Sequence, residues 1–243
     1  MRAETARTEV LLASDMHLPA GPSEYRDALH ALLDGPARQA HSLFLLGDVF
    51  EYWLGDDVSG RDHADTLHAL ERCAQAGTRL YFMPGNRDFL LSDHLLARHG
   101  VTALPDPVIV ALPDGPALLS HGDQWCTQDQ RYQRWRRFAH WGPAQAGFRA
   151  LPRPLRRRIA QRLRARSQFL GRMTADDLLD VQPGAVEHAF ATFGIQRIIH
   201  GHTHRPDTHA MRGGTRVVLP DWRPGDQRYL HAGSDGLTIR RIG

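Results

Sequence analysis

A chain of 243 residues, 42% of them hydrophobic, is long enough for one sizeable core and has no low-complexity stretch that reads as a linker. Its longest apolar runs, such as Leu43–Leu46, fall far short of the roughly 20 residues of a membrane-spanning helix, and Met1–Arg7 lacks the apolar region of a secretory signal, so a soluble cytoplasmic chain is expected. The net charge of +3 hides an asymmetry: residues 131–172 hold 13 Arg and no acid, residues 1–130 hold 9 Arg against 19 Asp and Glu, and residues 173–243 hold 8 of each.

In chain order, Val10–Ala13 reads as a strand, Glu24–Leu33 as a helix, Ser42–Leu46 as a strand and His63–Ala76 as a helix closed by Gly77. Thr78–Met83 follows as a strand, and Ser92 caps a helix that ends at Gly100. Val108–Ala111 and Ala117–Ser120 form a hairpin across Pro113–Pro116. After the basic segment come a helix over Gly184–Phe193 closed by Gly194 and strands at Gln196–Ile199, Thr215–Leu219, Gln227–Leu230 and Leu237–Arg241. The basic segment interrupts this α/β series and reads as a helical insertion. Within it Leu155, Ile159 and Leu163 recur at helical spacing while Arg156, Arg157, Arg158, Arg162, Arg164 and Arg166 fall largely on other faces. Cys73 and Cys126, 53 residues apart, are neither a disulfide framework nor a CxxC metal pair and read as buried or half-buried thiols in a reducing compartment.

The residues just past five of these strands share one chemistry: Ser14-Asp15-Met16-His17, Gly47-Asp48, Gly85-Asn86-Arg87-Asp88, His121-Gly122-Asp123 and His200-Gly201-His202-Thr203-His204. Ligands of open α/β sheets bind beyond the carboxyl ends of the strands, so these loops can converge. Asp15, His17, Asp48, Asn86, His121, His202 and His204 offer imidazole, carboxylate and amide without thiolate, a mix suited to Mn²⁺, Fe²⁺ or Zn²⁺. Seven donors are too many for one ion and suffice for two with a bridging carboxylate, and two ions can clamp a phosphate and turn a shared water into hydroxide. His200 belongs on the strand beside the site.

This series of motifs resembles that of the calcineurin-like metallophosphoesterases: DxH, GD, GN, HGD and GHTH, here Asp15–His17, Gly47-Asp48, Gly85-Asn86, His121–Asp123 and Gly201–His204. The resemblance implies an α/β fold, a two-sheet αββα sandwich with an inserted helical cap, the core spanning 1–128 and 174–243 and the cap 129–173. It implies that Asp15, His17, Asp48 and His204 hold one metal and Asp48, Asn86, His121 and His202 the other, with two Mn²⁺ preferred to Fe²⁺ or Zn²⁺ and a metal-bridging hydroxide as nucleophile. Within that superfamily Leu45–Asp57, Gly85–Leu90, His121–Thr127 and Ile199–Pro206 are most similar to the UDP-2,3-diacylglucosamine hydrolase family of lipid A biosynthesis. Carried onto this chain, that likeness implies Asn86, Arg87, Asp129, Ser167 and His202 as substrate contacts, with Tyr132 and Arg164 beside them, and a lipid-binding cap. Gly171 and Thr174 depart from the polar residue and Lys that relatives carry in the cap, and the chain starts a few residues early, which reads as a disordered tail.

Most of the superfamily places His after the metal-binding Asn, able to protonate a departing alkoxide; Arg87 stays protonated and cannot. A leaving phosphate, with a second pKa of about 6, needs no such proton. Arg87 therefore fits a clamp on phosphate oxygens, with an ion pair to Asp88 or another acid as the alternative. The reaction expected is attack on the α-phosphorus of UDP-2,3-diacylglucosamine to give UMP and 2,3-diacylglucosamine 1-phosphate. Trp135, Phe138, Trp141, Phe148 and Phe169 are candidates to meet acyl chains, and the cap arginines to meet an anionic inner-membrane surface, making the chain peripheral on its cytoplasmic face. No nucleic-acid partner and no obligate protein partner are expected, the chain being a monomer. The competing readings are a hydrolase of soluble dinucleoside polyphosphates or cyclic nucleotides, and a non-enzymatic nucleic-acid binder using the Arg-rich segment.

Overall fold

The computed structural model describes residues 8–173 and 180–243, with the backbone alone for residues 166–173. The expected N-terminal tail and Thr174 lie outside the described residues, as do the side chains of Ser167, Phe169 and Arg172.

Strands β1 (Val10–Ala13), β2 (Ser42–Leu46), β3 (Arg79–Met83) and β4 (Val101–Ala103) run parallel, and β10 (Arg228–Gly233) and β11 (Gly236–Arg241) extend the sheet antiparallel in the order β11-β10-β1-β2-β3-β4. The second sheet has the order β5-β6-β7-β9-β8, from β5 (Val108–Leu112), β6 (Gly115–Ser120), β7 (Arg197–His200), β8 (Thr208–Met211) and β9 (Gly214–Val218), with β6, β7 and β9 parallel.

Period-two alternation splits each central strand between two cores. Val10, Leu12, Phe44, Leu46 and Met83 meet Leu112, Leu119, Ile199 and Val217 between the sheets. Their neighbours Leu11, Leu43, Leu45, Leu80 and Phe82 pack on helices α1 (Glu24–Asp34), α2 (Pro36–Gln39), α4 (Ala64–Gln75) and α5 (Asp93–Arg98). Leu118 and Ile198 pack on α9 (Pro183–Phe193), which Gly194 ends in a left-handed conformation (φ 61°). The layers are therefore helix, sheet, sheet, helix. Cys73 and Cys126 are buried in different layers.

The expected helix at His63–Ala76 is the second of two, because α3 (Asp56–Asp62) precedes it and His63 is the joint between them. Strands β4 and β8 are additions to the reading above: three and four residues long, at the edges of their sheets, they carry too little alternation to be read from sequence.

Between β6 and β7 stand α6 (Gln130–Ala139), α7 (Gly142–Ala150) and α8 (Arg153–Met173). The apolar stripe of α8 does not face the core: Leu155 and Leu163 are 43% and 40% exposed, whereas Arg156 is 3% exposed. The reason is acceptor geometry. Arg156 donates Nη1 to the Leu54 carbonyl (2.6 Å) and Nη1 and Nη2 to the two Asp57 carboxylate oxygens (2.8 and 2.6 Å), charge-assisted hydrogen bonds that a Leu in its place could not make. Arg157 pairs with Asp62 beside it (2.9 Å). Among the described residues, no helix is long and apolar enough to cross a membrane.

Candidate active site

The five loops carrying the seven candidate ligands leave the carboxyl ends of β1, β2, β3, β6 and β7, and hydrogen bonds tie them across the two sheets. His121 Nδ1 lies 3.0 Å from the Leu46 carbonyl, and the His202 amide donates to Asp15 Oδ2 (2.8 Å). Asp15, His17, Asp48, His202 and His204 all hold positive φ, between 49° and 67°. No other described non-glycine residue does. A left-handed L-residue costs about 1–3 kcal/mol, and such strain gathers where side chains must be aimed. Two glycines make the close approach possible: a Cβ on Gly85 would strike the backbone and carboxylate of Asp48, and one on Gly201 the Asp15 carboxylate.

The donors converge as two groups. Asp15, His17 and His204 each offer an atom within 4.8 Å of the others, and so do Asp15, Asp48 and His121. His17 Nε2 and His204 Nε2 are 3.3 Å apart, and His204 Nε2 is 3.3 Å from Asp15 Oδ1. In the second group Asn86 Oδ1 lies 3.0 Å from both His121 Nε2 and His202 Nδ1, and His121 Nε2 is 3.7 Å from Asp48 Oδ1.

Burial dominates the titration of the site. It holds the His17 and His202 imidazoles down to about 3, with the Asp15 carboxylate opposing it at His17 and the His121 charge reinforcing it at His202. Burial raises Asp48 to about 7, against the His121 charge and with help from Asp88 and Asp15. Burial opposes charge on His121 too, yet Asp48 and Asp15 raise it to about 9. Asp15, though burial alone would push it up, is held below the usual carboxylate range by His204, His121 and His17.

This constellation fits divalent cations. Asp15 Oδ1 is buried with no hydrogen-bond donor aligned on it, while its Oδ2 is satisfied by the Ser14 hydroxyl (2.7 Å) and the His202 amide. An imidazole whose Nδ1–H donates to a carbonyl, as His121 does to Leu46, turns its Nε2 lone pair inward. Asp221 Oδ2, 3.7 Å from His204 Nδ1, stands behind that imidazole. Asp88 stitches two loops together: its Oδ1 accepts from Gly85 N (2.8 Å) and Asp48 N (3.4 Å), and its Oδ2 from Val49 N (2.8 Å) and Phe50 N (3.3 Å).

Arg87 does not pair with Asp88. Its Nη1 is 3.5 Å from Glu51 Oε1 and its Nε 4.0 Å from Asp48 Oδ2, while its amide donates to Asp48 Oδ1 (2.9 Å). Arg164, from α8, reaches the same Glu51 oxygen (Nε, 2.8 Å). Tyr132 donates its hydroxyl to Asp123 Oδ2 (2.5 Å), which also takes Arg136 Nε (2.7 Å), and its ring lies 5.8 Å from that of His202. Asp129 caps α6 by accepting the Tyr132 amide (2.8 Å), and among the described residues none of its hydrogen bonds or ion pairs reaches the seven ligands. Ser167 lies on α8 with its side chain outside the described residues. Glu51 and Asp221 were not singled out from sequence, each being a lone acid that only its three-dimensional partners distinguish; Asp123 stands within the His121–Asp123 motif, which gives it no role of its own.

The family model of calcineurin-like phosphoesterases matches residues 8–206. The chain belongs to that family. A solved archaeal phosphodiesterase, 10% identical, superposes with a TM-score of 0.50 over 96% of this chain and 99% of its own, which bears on the fold alone. The UDP-2,3-diacylglucosamine hydrolase of Chromohalobacter salexigens is 42% identical over 219 residues, 88% of this chain and 89% of that protein. That of Pseudomonas syringae pv. tomato is 41% identical over 235 residues, 93% and 95% of the two chains. Within the phosphoesterases, this chain is thus a member of the UDP-2,3-diacylglucosamine hydrolase family.

Proposed function

We propose that the chain hydrolyses the pyrophosphate bond of UDP-2,3-diacylglucosamine by attack at the α-phosphorus, releasing UMP and 2,3-diacylglucosamine 1-phosphate for lipid A biosynthesis. The observation that carries the reading is Arg87, a permanent cation set directly after Asn86 and beside Asp48, where an acid–base residue would serve an alkoxide leaving group.

Two divalent ions, Mn²⁺ in this reading, supply Lewis acidity on the phosphate and a nucleophilic water at neutral pH. Asp15, His17, Asp48 and His204 are assigned to one and Asp48, Asn86, His121 and His202 to the other. The Asp48 carboxyl, raised to about 7 by burial, is partly protonated at neutral pH, and cations beside it would complete its ionisation.

Arg87 grips the non-bridging phosphate oxygens and neutralises charge as the P–O bond breaks. The departing sugar phosphate leaves as a stable anion, so no residue has to protonate it. Arg164, His202 and Tyr132 hold the remainder of the head group. Asp129 and Ser167 belong to the same proposal, with Asp129 contributing through the start of α6.

The insertion, residues 129–173, is assigned as a cap over the acyl chains and as the face that meets an anionic inner-membrane surface from the cytoplasmic side. Exposed Trp135, Phe138, Trp141, Leu155 and Leu163 among the arginines support this. Incubation with Mn²⁺ and UDP-2,3-diacylglucosamine tests the function: UMP is expected, whereas UDP as product, or faster cleavage of a dinucleoside polyphosphate, overturns it.

A further inference from the structure

Glu51 connects the insertion and the β3 loop through two arginines. Its side chain is 12% exposed, and one oxygen, Oε1, faces Arg164 Nε of α8 at 2.8 Å and Arg87 Nη1 of the β3 loop at 3.5 Å. Two guanidinium groups crowded on one oxygen repel each other unless a carboxylate lies between them. Burial raises the Glu51 carboxyl and the two arginines oppose that rise, Arg87 more than Arg164. Glu51 is not among the seven metal-type donors, and it lies three residues past Asp48, on the segment whose Val49 and Phe50 amides Asp88 holds. The carboxylate is therefore fixed from the metal side while the long, 44% exposed Arg164 arrives from the insertion. Arg164 is otherwise a mobile surface side chain with roughly 2 kcal/mol of rotamer entropy to lose.

We infer that Glu51 is a positioning residue: it draws Arg164 and Arg87 into one paired cationic seat for the substrate's phosphates and tethers α8 over the metal loops. Glu51 touches neither substrate nor metal in this assignment; it acts through the two arginines. The inference rests on the pyrophosphatase reading above for what the seat holds, but the tether stands on the ion pairs alone.

The test uses the full chain and the variants Glu51→Gln, Glu51→Asp, Arg164→Ala and the Glu51→Gln/Arg164→Ala double variant. With UDP-2,3-diacylglucosamine and Mn²⁺, Glu51→Gln is expected to raise KM on the order of tenfold, the equivalent of one charge-assisted hydrogen bond. Glu51→Asp, which keeps the charge on a shorter arm, recovers part of that loss. The two single losses combine less than multiplicatively in the double variant, because both remove the same pair. Bound Mn²⁺ per chain stays at the wild-type value throughout. Amide hydrogen exchange of α8 in the ion-free protein rises in Glu51→Gln and in Arg164→Ala, and no further in the double variant.

Multiplicative losses, a KM that is unchanged or lower in Glu51→Gln, loss of Mn²⁺, or unchanged exchange in α8 would each overturn the positioning role. If the wild type makes no UMP, the pyrophosphatase reading fails by itself, and the exchange comparison still decides the tether.

Discussion

Asp88→Asn removes one oxygen from a buried carboxylate that accepts four backbone N–H groups of the Asp48 and Asn86 loops, two at 2.8 Å and two at 3.3 and 3.4 Å. Asparagine retains one acceptor and turns an NH₂ toward the other two donors, so one short and one long bond are lost and two buried donors are left facing a third. Hydrogen bonds to a charged acceptor contribute about 1.5–3 kcal/mol and unsatisfied buried donors cost a similar amount, so the gross loss is about 3–5 kcal/mol. Burial raises the Asp88 carboxyl, so relief of its desolvation offsets part of this, and the net loss is about 2–4 kcal/mol. For a chain of this size, at about 2–4 °C per kcal/mol, Tm should fall by about 5–15 °C. Because Asp48 and Asn86 ride on the released loops, dialysed protein should also hold less Mn²⁺ by elemental analysis. A variant melting within about 1 °C of the parent, less than even 1 kcal/mol would produce, and still fully loaded would refute this account of the loops.

Arg87→Ala should keep both ions and lose about 10²–10³-fold in kcat, the usual loss for one transition-state donor; unchanged turnover, or loss of metal, would contradict the clamp. Loading Mn²⁺ into the ion-free chain should release protons, because His121, raised to about 9, is charged at pH 7 and Asp48, raised to about 7, is partly protonated there, and both must give up the proton to bind. Release should shrink as pH rises through about 7 and vanish above about 9, and calorimetry in buffers of different ionisation enthalpy reads it. Arg156→Ala leaves the Leu54 carbonyl without its donor, while Asp57, whose side chain is 46% exposed, keeps Arg153 (3.1 Å) and rehydrates on the side Arg156 vacates, so the docking of α8 should weaken by about 2–3 kcal/mol, read as faster amide exchange across residues 153–165.

Much of the site was legible because its chemistry is local in sequence. Each donor or pair sits one to four residues past a strand whose apolar alternation marks its end, and Gly47, Gly85, Gly122 and Gly201 mark the turns. The sandwich was legible for the same reason, except for β4 and β8, whose edge positions demand little burial. What stayed hidden depends on partners far apart in the chain. The apolar spacing of α8 was visible, but not that Arg156 would claim its buried face, because that choice is made by Asp57 and Leu54, 99 and 102 residues away. The partner of Arg87 was equally hidden: Asp88, its neighbour in sequence, spends both oxygens on backbone amides, and Glu51 takes the guanidinium instead.

Hydrolysis of UDP-2,3-diacylglucosamine in oxygen-18 water tests the central claim most directly, since the label marks the phosphorus that is attacked. Attack at the α-phosphorus puts the label in UMP and none in 2,3-diacylglucosamine 1-phosphate. Label in the sugar phosphate, or UDP in place of UMP, would contradict it.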